Sequence, residues 1–275
     1  MHLKLSNNYE QFMTILSYNI RNALFNEADH SDVWNNWRFR RKAVVNLIEK
    51  ANPDVIALQE DSTKQQQYIE THFRKSHQLF RERSFYQADN ANNGILVRKT
   101  LKVIDSGAFW ISRNGKHKGK VKGSICFRHA TYTRLRLRTQ QLLVVNVHLD
   151  HTKTEKVKIE EASTFIKLLR RLSGDPPINT IVVGDFNTTP TRLPHRLFQQ
   201  YGLRDSGKRQ NNAEPTNPHW LQHPKCERID YIWASRDLIT NLRQYKVLGD
   251  TYRRRDGIFL EPSDHYPVFA EFILP

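Results

Sequence analysis

Residues 180–187 read TIVVGDFN, a short apolar run that passes directly into a carboxylate and an amide. An uninterrupted apolar run of this length, with polar residues on both sides, predicts a β-strand that is buried on both faces. Asp185 and Asn187 would then follow the strand at its C-terminal end. In open α/β folds, functional sites form at the C-terminal ends of strands, because loops converge there.

Five other segments place polar side chains beside apolar strands in a similar way. They are residues 17–21 (SYNIR), 58–60 (LQE), 146–150 (NVHLD), 228–231 (RIDY) and 263–265 (SDH), the last of which directly precedes the final strand. Taken singly, each segment is a weak signal, since a lone Asp after a strand most often caps a helix or closes a turn. Together they supply eight candidate site residues: Asn19, Glu60, His148, Asp185, Asn187, Asp230, Asp264 and His265.

The chemistry of this set predicts a phosphodiester hydrolase that depends on Mg²⁺ or Mn²⁺. Carboxylate and amide oxygens are the ligands that these cations prefer, and the set lacks the thiolates typical of zinc sites. Phosphodiester hydrolysis needs a nucleophilic water, charge neutralisation on the phosphoryl oxygens and help for the leaving oxygen. Carboxylates can hold the metal, and a histidine with an orienting aspartate can activate water. Amides and arginines can donate to the phosphoryl group.

Strands and helices are interspersed throughout the chain, which predicts one α/β domain over residues 1–275. Some strands are joined by helices and others by short connections, so a mixed sheet is expected. The apolar periodicity predicts helices at 38–50, 63–73 and 154–172. It predicts strands at 13–19, 54–58, 94–97, 101–104, 109–111, 124–138, 142–149, 180–184, 229–234 and 268–273.

The composition favours a polyanionic partner. The chain has 43 Lys and Arg against 28 Asp and Glu, a formal net charge of +15. A positive field of this size attracts nucleic acid, anionic membrane surfaces or phosphorylated small molecules. The alternative is that the charge serves only to keep the protein in solution.

The cysteine content and the hydropathy favour a cytoplasmic protein. Cys126 and Cys226 do not make a disulfide framework, and we expect both to be reduced and buried. Residues 1–10 are polar and lack the apolar stretch of a signal peptide. No apolar run approaches the ~20 residues that span a bilayer. We therefore expect a monomer without a transmembrane segment, although export by a signal-independent system stays open.

The six segments, in this order, closely resemble those of the endonuclease/exonuclease/phosphatase superfamily, whose members include DNase I-like nucleases, deadenylases, sphingomyelinases and inositol phosphatases. The resemblance runs from about residue 13 to residue 272 and rests on SYNIR, LQE, NVHLDH, GDFN, RIDYIW and SDHYPV. It implies a DNase I-like fold, a four-layer α/β sandwich of two mixed β-sheets flanked by helices.

The resemblance implies roles for the residues around the metal. Glu60 would be the principal metal ligand, with Asn19 beside it, and Asp264 would assist the metal directly or through water. Asp185 would position or activate the attacking water. Asn187 would donate to a phosphoryl oxygen.

The resemblance also implies roles around the phosphate. Asp230 would orient His265 as a general base, or hold it as the charged partner of the phosphate. His148 would contact the phosphate and protonate the leaving group. Arg128 occupies a position where DNase I-like members place a phosphate-contacting arginine. Arg21 stands where abasic-site endonucleases have an acidic residue, and an arginine there is shared with DNase I-like members.

The pair Asp150-His151 completes an HLDH form that is common in bacterial members and in deadenylase-like relatives. Asp150 is therefore included among the substrate-binding candidates. Two interpretations of His151 are open: a residue of the site, or a surface residue at the start of a helix.

Basic and aromatic residues in predicted loops are the sequence evidence for the class of substrate. Arg253, Arg254 and Arg255 lead into Asp264, and a loop with Lys116, Lys118, Lys120 and Lys122 leads toward Arg128. Near the catalytic mouth these charges would attract a phosphate backbone. The lysine loop could instead be a solvated hairpin tip, and Trp220 could stack on a base or pack locally.

We therefore expect a nuclease acting on DNA or RNA. The alternative is a phosphodiesterase or phosphatase for a lipid headgroup, inositol phosphate or nucleotide. A catalytically silent nucleic-acid-binding module is an alternative of another class. The sequence has no obvious exposed apolar hairpin, which counts against a membrane substrate.

Overall fold

The computed structural model describes residues 11–23, 36–81, 92–138, 140–217, 226–249, 252–253 and 259–274. The strands are β1 (Gln11–Asn19), β2 (Val55–Gln59), β3 (His77–Phe80), β4 (Ile95–Arg98), β5 (Lys102–Trp110), β6 (His129–Leu137), β7 (Gln140–His148), β8 (Asn179–Asp185), β9 (Leu203–Asp205), β10 (Asp230–Ser235), β11 (Leu242–Val247), β12 (Tyr252–Arg253), β13 (Phe259–Leu260) and β14 (Val268–Leu274). The helices are α1 (Trp37–Ala51), α2 (Thr63–Phe73), α3 (Glu155–Ser173), α4 (Leu193–Tyr201), α5 (Ser206–Arg209) and α6 (Arg236–Thr240).

Within the described ranges, the strands form two six-stranded sheets and one two-stranded ribbon. The first sheet has the order β11-β14-β1-β2-β4-β3, the second has the order β5-β6-β7-β8-β10-β9, and β12 pairs with β13. Each large sheet contains a parallel pair, β1 with β2 and β7 with β8, among antiparallel neighbours. Helices α1 and α3 connect these parallel pairs, since a parallel pair needs a long crossover. The predicted mixed sheets are confirmed.

Three apolar clusters hold four layers together. Between the sheets lie Met13, Ile15, Val55, Ala57, Val144, Ile181, Val183 and Ile232. On the outer face of the first sheet, α1 and α2 pack through Val44, Ile48 and Ile69. On the outer face of the second sheet, α3 and α4 pack through Phe165, Leu169 and Phe198. The central strands are thus buried on both faces, which explains their nearly continuous apolar sequence.

The predicted helices match the structure more closely than the predicted strands. Helix α2 has the predicted bounds, and α1 and α3 differ from prediction by one residue at each end. Residues 101–104 and 109–111 were predicted as two strands, but both belong to β5. This prediction was wrong because β5 is an edge strand. There Asp105 and Ser106 can face solvent without interrupting the strand.

Several elements have no counterpart in the prediction, and one predicted strand begins too early. The elements that were missed are α4, α5, α6, β3, β9, β11, β12 and β13. Residues 124–128 were predicted as the start of a strand but form an irregular loop before β6. The prediction that both cysteines are buried was also wrong, since Cys126 is half-buried and Cys226 is exposed. Among the described residues, no helix combines the length and the apolar character needed to cross a membrane.

Candidate active site

The polar residues predicted from the strand ends converge at one edge of the sandwich. Asn19 ends β1, His148 ends β7 and Asp185 ends β8, so the parallel strand pairs of both sheets point their C-terminal ends there. Strand β10 runs antiparallel to β8, and its first residue, Asp230, pairs with Asp185. The topology therefore brings together side chains from both sheets.

Three site residues adopt left-handed backbone conformations directly after strands. The φ angles are 51° for Arg21, 60° for Glu60 and 49° for Asn187. Such conformations cost non-glycine residues on the order of 1–3 kcal/mol and tend to cluster at functional sites. After these turns Glu60 contacts Asn19 at the end of β1, and Asn187 contacts His148 at the end of β7. Arg21 contacts Asp264 in the loop before β14.

An acidic centre is organised by amide hydrogen bonds. Asn19 Nδ2 donates to Glu60 Oε1 at 3.3 Å and to Asp185 Oδ2 at 3.2 Å. The backbone N–H of Asn22 donates to Glu60 Oε2 at 2.9 Å, and that of Asn187 donates to Asp185 Oδ1 at 2.8 Å. Asn19 thus bridges the two carboxylates and holds them on the same side of the site.

His265 and Asp230 form a buried pair beside this centre. His265 Nδ1 lies 2.9 Å from Asp230 Oδ2, and His265 Nε2 lies 3.8 Å from Asp185 Oδ2. Burial acts to lower the pKa of His265, but the surrounding carboxylates of Asp230, Asp185 and Asp264 outweigh it and hold that pKa well above its ordinary range. These carboxylates therefore favour the charged form of His265.

The surroundings of His148 disfavour a positive charge on its ring. Asn187 Nδ2 donates to the Leu149 carbonyl at 2.9 Å, which fixes the amide so that the same nitrogen faces His148 Nε2 at 3.0 Å. His148 Nε2 is then an acceptor in this hydrogen bond. Burial and the positive charge of Arg128 lower the pKa of His148 well below its ordinary value. His148 Nε2 also lies 3.3 Å from Asp185 Oδ2. The role of His148 as proton donor to the leaving group stays a prediction.

The two arginines predicted at the phosphate lie on different sides of the site. Arg21 donates through a terminal guanidinium nitrogen to Asp264 Oδ2 at 2.9 Å. Arg128 is buried, and its guanidinium lies 3.3 Å from His151 Nδ1. His151 is exposed, in agreement with the interpretation of it as a surface residue.

Asp150 supports the loops around the site and does not face the solvent. Its side chain is fully buried, Oδ2 accepts the Cys126 N–H at 2.7 Å and Oδ1 accepts the Thr152 N–H at 2.8 Å. Its own N–H donates to Glu161 Oε2 at 2.8 Å. The expectation that Asp150 contacts substrate is corrected accordingly: both of its oxygens are committed to backbone amides.

Sequence reasoning missed two side chains that position the site. Arg40 of α1 is fully buried and donates to the carbonyls of Ile20, Arg21 and Pro262, which joins the loop after β1 to the loop before His265. Thr216 Oγ1 donates to Asp230 Oδ2 at 2.6 Å. The one available signal for Arg40 was a cation on the apolar stripe of a helix.

Part of the predicted substrate surface lies outside the described residues. Trp220, Arg254 and Arg255 belong to the segments that are not described, and for Arg253 only the strand pairing of β12 is known. The lysine loop is described, and its backbone is anchored. Trp110 N–H donates to the Gly115 carbonyl at 2.8 Å, and Ser112 Oγ donates to the His117 carbonyl at 2.9 Å.

The acidic centre fits a divalent cation. Asp185 and Asp230 are almost completely buried, and their ligand atoms lie within 4.8 Å of one another and of a His265 nitrogen. Burial, and then the Asp230 carboxylate, raise the pKa of Asp185. Asp230 Oδ1 is buried and accepts no hydrogen bond from a described residue. A cation would relieve this repulsion, and oxygen donors suit Mg²⁺ or Mn²⁺.

The fold and this site together define a class of α/β phosphohydrolases, and comparison with known proteins gives the family. A family model described as the Endonuclease/Exonuclease/phosphatase family matches residues 16–265. The chain belongs to this family, and the resemblance found in the sequence is confirmed. Members of the family are generally dependent on a divalent metal.

Solved structures with the same architecture cover almost the whole chain. An endonuclease/exonuclease/phosphatase family protein from Bacteroides thetaiotaomicron superposes with a TM-score of 0.82 at 24% identity, over 97% of this chain and 99% of that one. The mannosyl-6-phosphatase Bt3783 of the same organism gives a TM-score of 0.81 at 23% identity, over 95% of this chain and all (100%) of that one. At these identities the likeness establishes the fold.

A curated relative matches part of the chain. Nocturnin from Xenopus laevis is 25% identical over 147 residues, which is 48% of this chain and 37% of that protein. The chain thus aligns with well under half of the length of this relative.

Proposed function

We propose that this member of the family is a Mg²⁺- or Mn²⁺-dependent phosphodiester hydrolase, and specifically a nuclease that cleaves DNA or RNA. The observation that carries the proposal is the acidic centre itself. Glu60 and Asp185 share an amide bridge from Asn19, and the His265–Asp230 pair lies beside them. This is the set of groups that hydrolysis of a phosphodiester requires.

Glu60, with Asn19 and Asp264, would hold the cation, and the buried cluster of Asp185, Asp230 and His265 would lie beside it. The bound cation supplies positive charge to the phosphoryl oxygens. The remaining residues act on the substrate and on protons. Asp185 Oδ2 is the proposed acceptor for a proton of the attacking water. Asp230 holds His265 through Nδ1, so that Nε2 presents a proton to the phosphate as its charged partner.

The arginines and the amides around this centre would bind the phosphate. Arg21 and Arg128 supply guanidinium groups, which suit phosphate because they present several N–H donors in a plane. His148 Nε2 lies 3.3 Å from Asp185 Oδ2, and the Asn187 amide beside it is held by the Leu149 carbonyl. We propose His148 as a contact to the phosphate, in the neutral form that its environment favours.

The net charge of +15 supports a nucleic-acid substrate. The second candidate is a phosphatase or phosphodiesterase for a small molecule such as a nucleotide, an inositol phosphate or a lipid headgroup. The observation in its favour is the full-length structural likeness to the mannosyl-6-phosphatase. A catalytically silent nucleic-acid-binding module is the third, and the presence of Glu60 and His265 speaks against it.

We also propose that residues 1–275 form one catalytic domain and that the protein acts as a cytoplasmic monomer. The family model spans residues 16–265, which supports the single domain. The location and the oligomeric state remain predictions, and gel filtration of the purified chain tests the second.

A cleavage assay tests the proposal. Single-stranded DNA, duplex DNA, structured RNA and poly(A) are offered beside bis-p-nitrophenyl phosphate, each with Mg²⁺, Mn²⁺ or EDTA. We expect metal-dependent cleavage of a polymer by the wild type and its loss in Glu60→Gln. Glu49→Gln is the matched control, because Glu49 lies on α1 and pairs with His72 at the surface. Turnover of the small diester alone would reject the nuclease and keep the hydrolase, and normal turnover in Glu60→Gln would reject the site.

A further inference from the structure

The loop between β5 and β6 ends in an exposed apolar tip, residues 125–127. Ile125 is 55% exposed and Phe127 is 37% exposed, and both precede the buried Arg128. Single exposed apolar residues are common on protein surfaces, but neighbouring ones beside a polar site mark a contact surface. The sequence did not reveal this tip, because the surrounding residues are basic and polar.

The tip is held in place by buried contacts. Asp150 Oδ2 accepts the Cys126 N–H at 2.7 Å, and the Ile111 N–H donates to the Arg128 carbonyl at 2.8 Å. Gly123, with φ of 93°, lies so close to α3 that a Cβ atom there would be 2.9 Å from Val157. The apolar side chains are therefore presented on a supported backbone, which lowers the entropy cost of binding.

The tip lies next to the proposed active site. Asp150, which anchors Cys126, follows His148 by two residues along the chain. Arg128, which directly follows the tip, is close enough to lower the pKa of His148. A substrate whose phosphate reaches His148 and Arg128 would thus extend over residues 125–127.

Positive charge surrounds the tip and continues away from it. The Lys118 and Lys120 ammonium nitrogens lie 4.7 Å and 5.3 Å from the centre of the Phe127 ring. Lys120 also lines a surface groove of about 490 Å³. Three further exposed cations line this groove, Arg113, Lys122 and Lys167, together with one exposed acid, Glu160. An aromatic ring beside a basic groove is the combination with which proteins bind single-stranded nucleic acid.

We propose that Phe127, with Ile125 beside it, stacks on an unpaired base next to the scissile phosphate, while Lys118, Lys120 and the groove bind the backbone phosphates that follow. The inference rests on the proposed nuclease function and adds a preference for single strands to it. In a duplex the base faces are already stacked on their neighbours, so Phe127 could not reach one without the free-energy cost of unstacking.

The test compares Phe127→Ala with a matched variant, Phe12→Ala. Phe12 is also 37% exposed and also lies under a cation, Arg243, at 4.6 Å. Phe12 is the second residue of β1, and Asn19 is the last, so Phe12 lies roughly 20 Å from the site. We expect Phe127→Ala to weaken binding and kcat/KM for a short single-stranded oligonucleotide by about 10-fold. Phe12→Ala should behave as the wild type, and Phe127→Trp should keep the affinity.

Binding is measured by fluorescence anisotropy in EDTA, so that it does not depend on turnover. If the wild type cleaves no phosphodiester but binds the strand through Phe127, the hydrolase proposal fails and the stacking surface stands. If Phe127→Ala binds the strand as tightly as Phe12→Ala does, the stacking surface is rejected. Vesicles of phosphatidylserine and phosphatidylcholine form a second arm. Loss of vesicle binding with unchanged strand binding would show a membrane contact and overturn the proposal.

An oligomer of abasic sugar phosphates checks the role of the base. We expect the difference between Phe127→Ala and the wild type to shrink on this oligomer, since it offers nothing to stack on the ring. An equally large difference on the abasic oligomer would overturn the stacking interaction. Joint replacement of Lys118 and Lys120 by Ala should weaken the salt dependence of binding. The slope of the logarithm of the binding constant against the logarithm of the salt concentration should fall in magnitude by about 0.7 for each phosphate that the variant no longer neutralises.

Discussion

Glu161 is a buried carboxylate whose ionisation should weaken the folded protein. It lies on α3, is 2% exposed and accepts the Asp150 N–H at 2.8 Å. Burial raises the pKa of Glu161 from an ordinary 4.5 to about 7, although the Asp150 amide and Arg128 act in the opposite direction. The ionised form is therefore less favourable in the folded chain than in the unfolded chain.

The pH window follows from these two pKa values. Between pH 4.5 and about 7 the folded state binds more protons at Glu161 than the unfolded state does, so stability falls as pH rises through this range. Below pH 4.5 both states are protonated and the destabilisation is absent. Above pH 7 Glu161 is ionised in both states, and the destabilisation is complete. Each unit of difference between the two pKa values corresponds to about 1.4 kcal/mol, so the destabilisation reaches about 3 kcal/mol.

The substitution Glu161→Gln removes the charge and keeps an oxygen that can accept the Asp150 N–H. We expect the variant to exceed the wild type in free energy of unfolding by up to about 3 kcal/mol at pH 8, and to match it near pH 4.5. Urea denaturation followed by tryptophan fluorescence at pH 4.5, 6 and 8 measures this difference. Glu160→Gln, on the exposed neighbouring residue, is the control and should show no such trend.

A difference between Glu161→Gln and the wild type that is independent of pH would refute the reasoning, and so would a variant that is less stable at pH 8. The gain in stability should come with a loss of function, because the substitution removes the negative charge that offsets the charge of Arg128. A modest fall in kcat/KM alongside higher stability would be the expected trade-off.

Three further predictions concern the site and its supports. His265→Ala should lose most activity, more than about 100-fold in kcat, while binding of a labelled oligonucleotide persists; unchanged kinetics would remove His265 from the mechanism. Asp205→Ala should cost about 3–5 kcal/mol in urea denaturation, because it leaves the buried Arg228 guanidinium without its carboxylate partner, whereas a cost below about 1 kcal/mol would contradict this. Arg40→Met should lower both the melting temperature and kcat, since it frees three loop carbonyls. A variant with normal kcat would show that these loops hold their positions without Arg40.

Comparison with the structure shows which helices and strands the local sequence predicts well and which it predicts poorly. Helix α2 was predicted to the residue because its apolar side chains recur on one face and Ser62 caps it through a capping box with Gln65. The edge strand β5 was divided in two, because exposed strand residues need not be apolar. Helix α4 is short and was missed, although its second residue, Pro194, is of a type that favours a helix start.

The amino-acid sequence by itself determined the strand-end residues, the order of the segments and hence the family. These features are local, since a buried strand must be apolar and the polar residue that follows it is read directly. Only the tertiary structure showed that Asp150 is a buried support, that burial lowers the pKa of His148 and that Arg40 and Thr216 position the site. It also revealed the exposed tip beside Arg128. These properties depend on contacts between distant segments, as Arg40 and Pro262 show, and burial and charge at such contacts are set by how the sheets and helices pack.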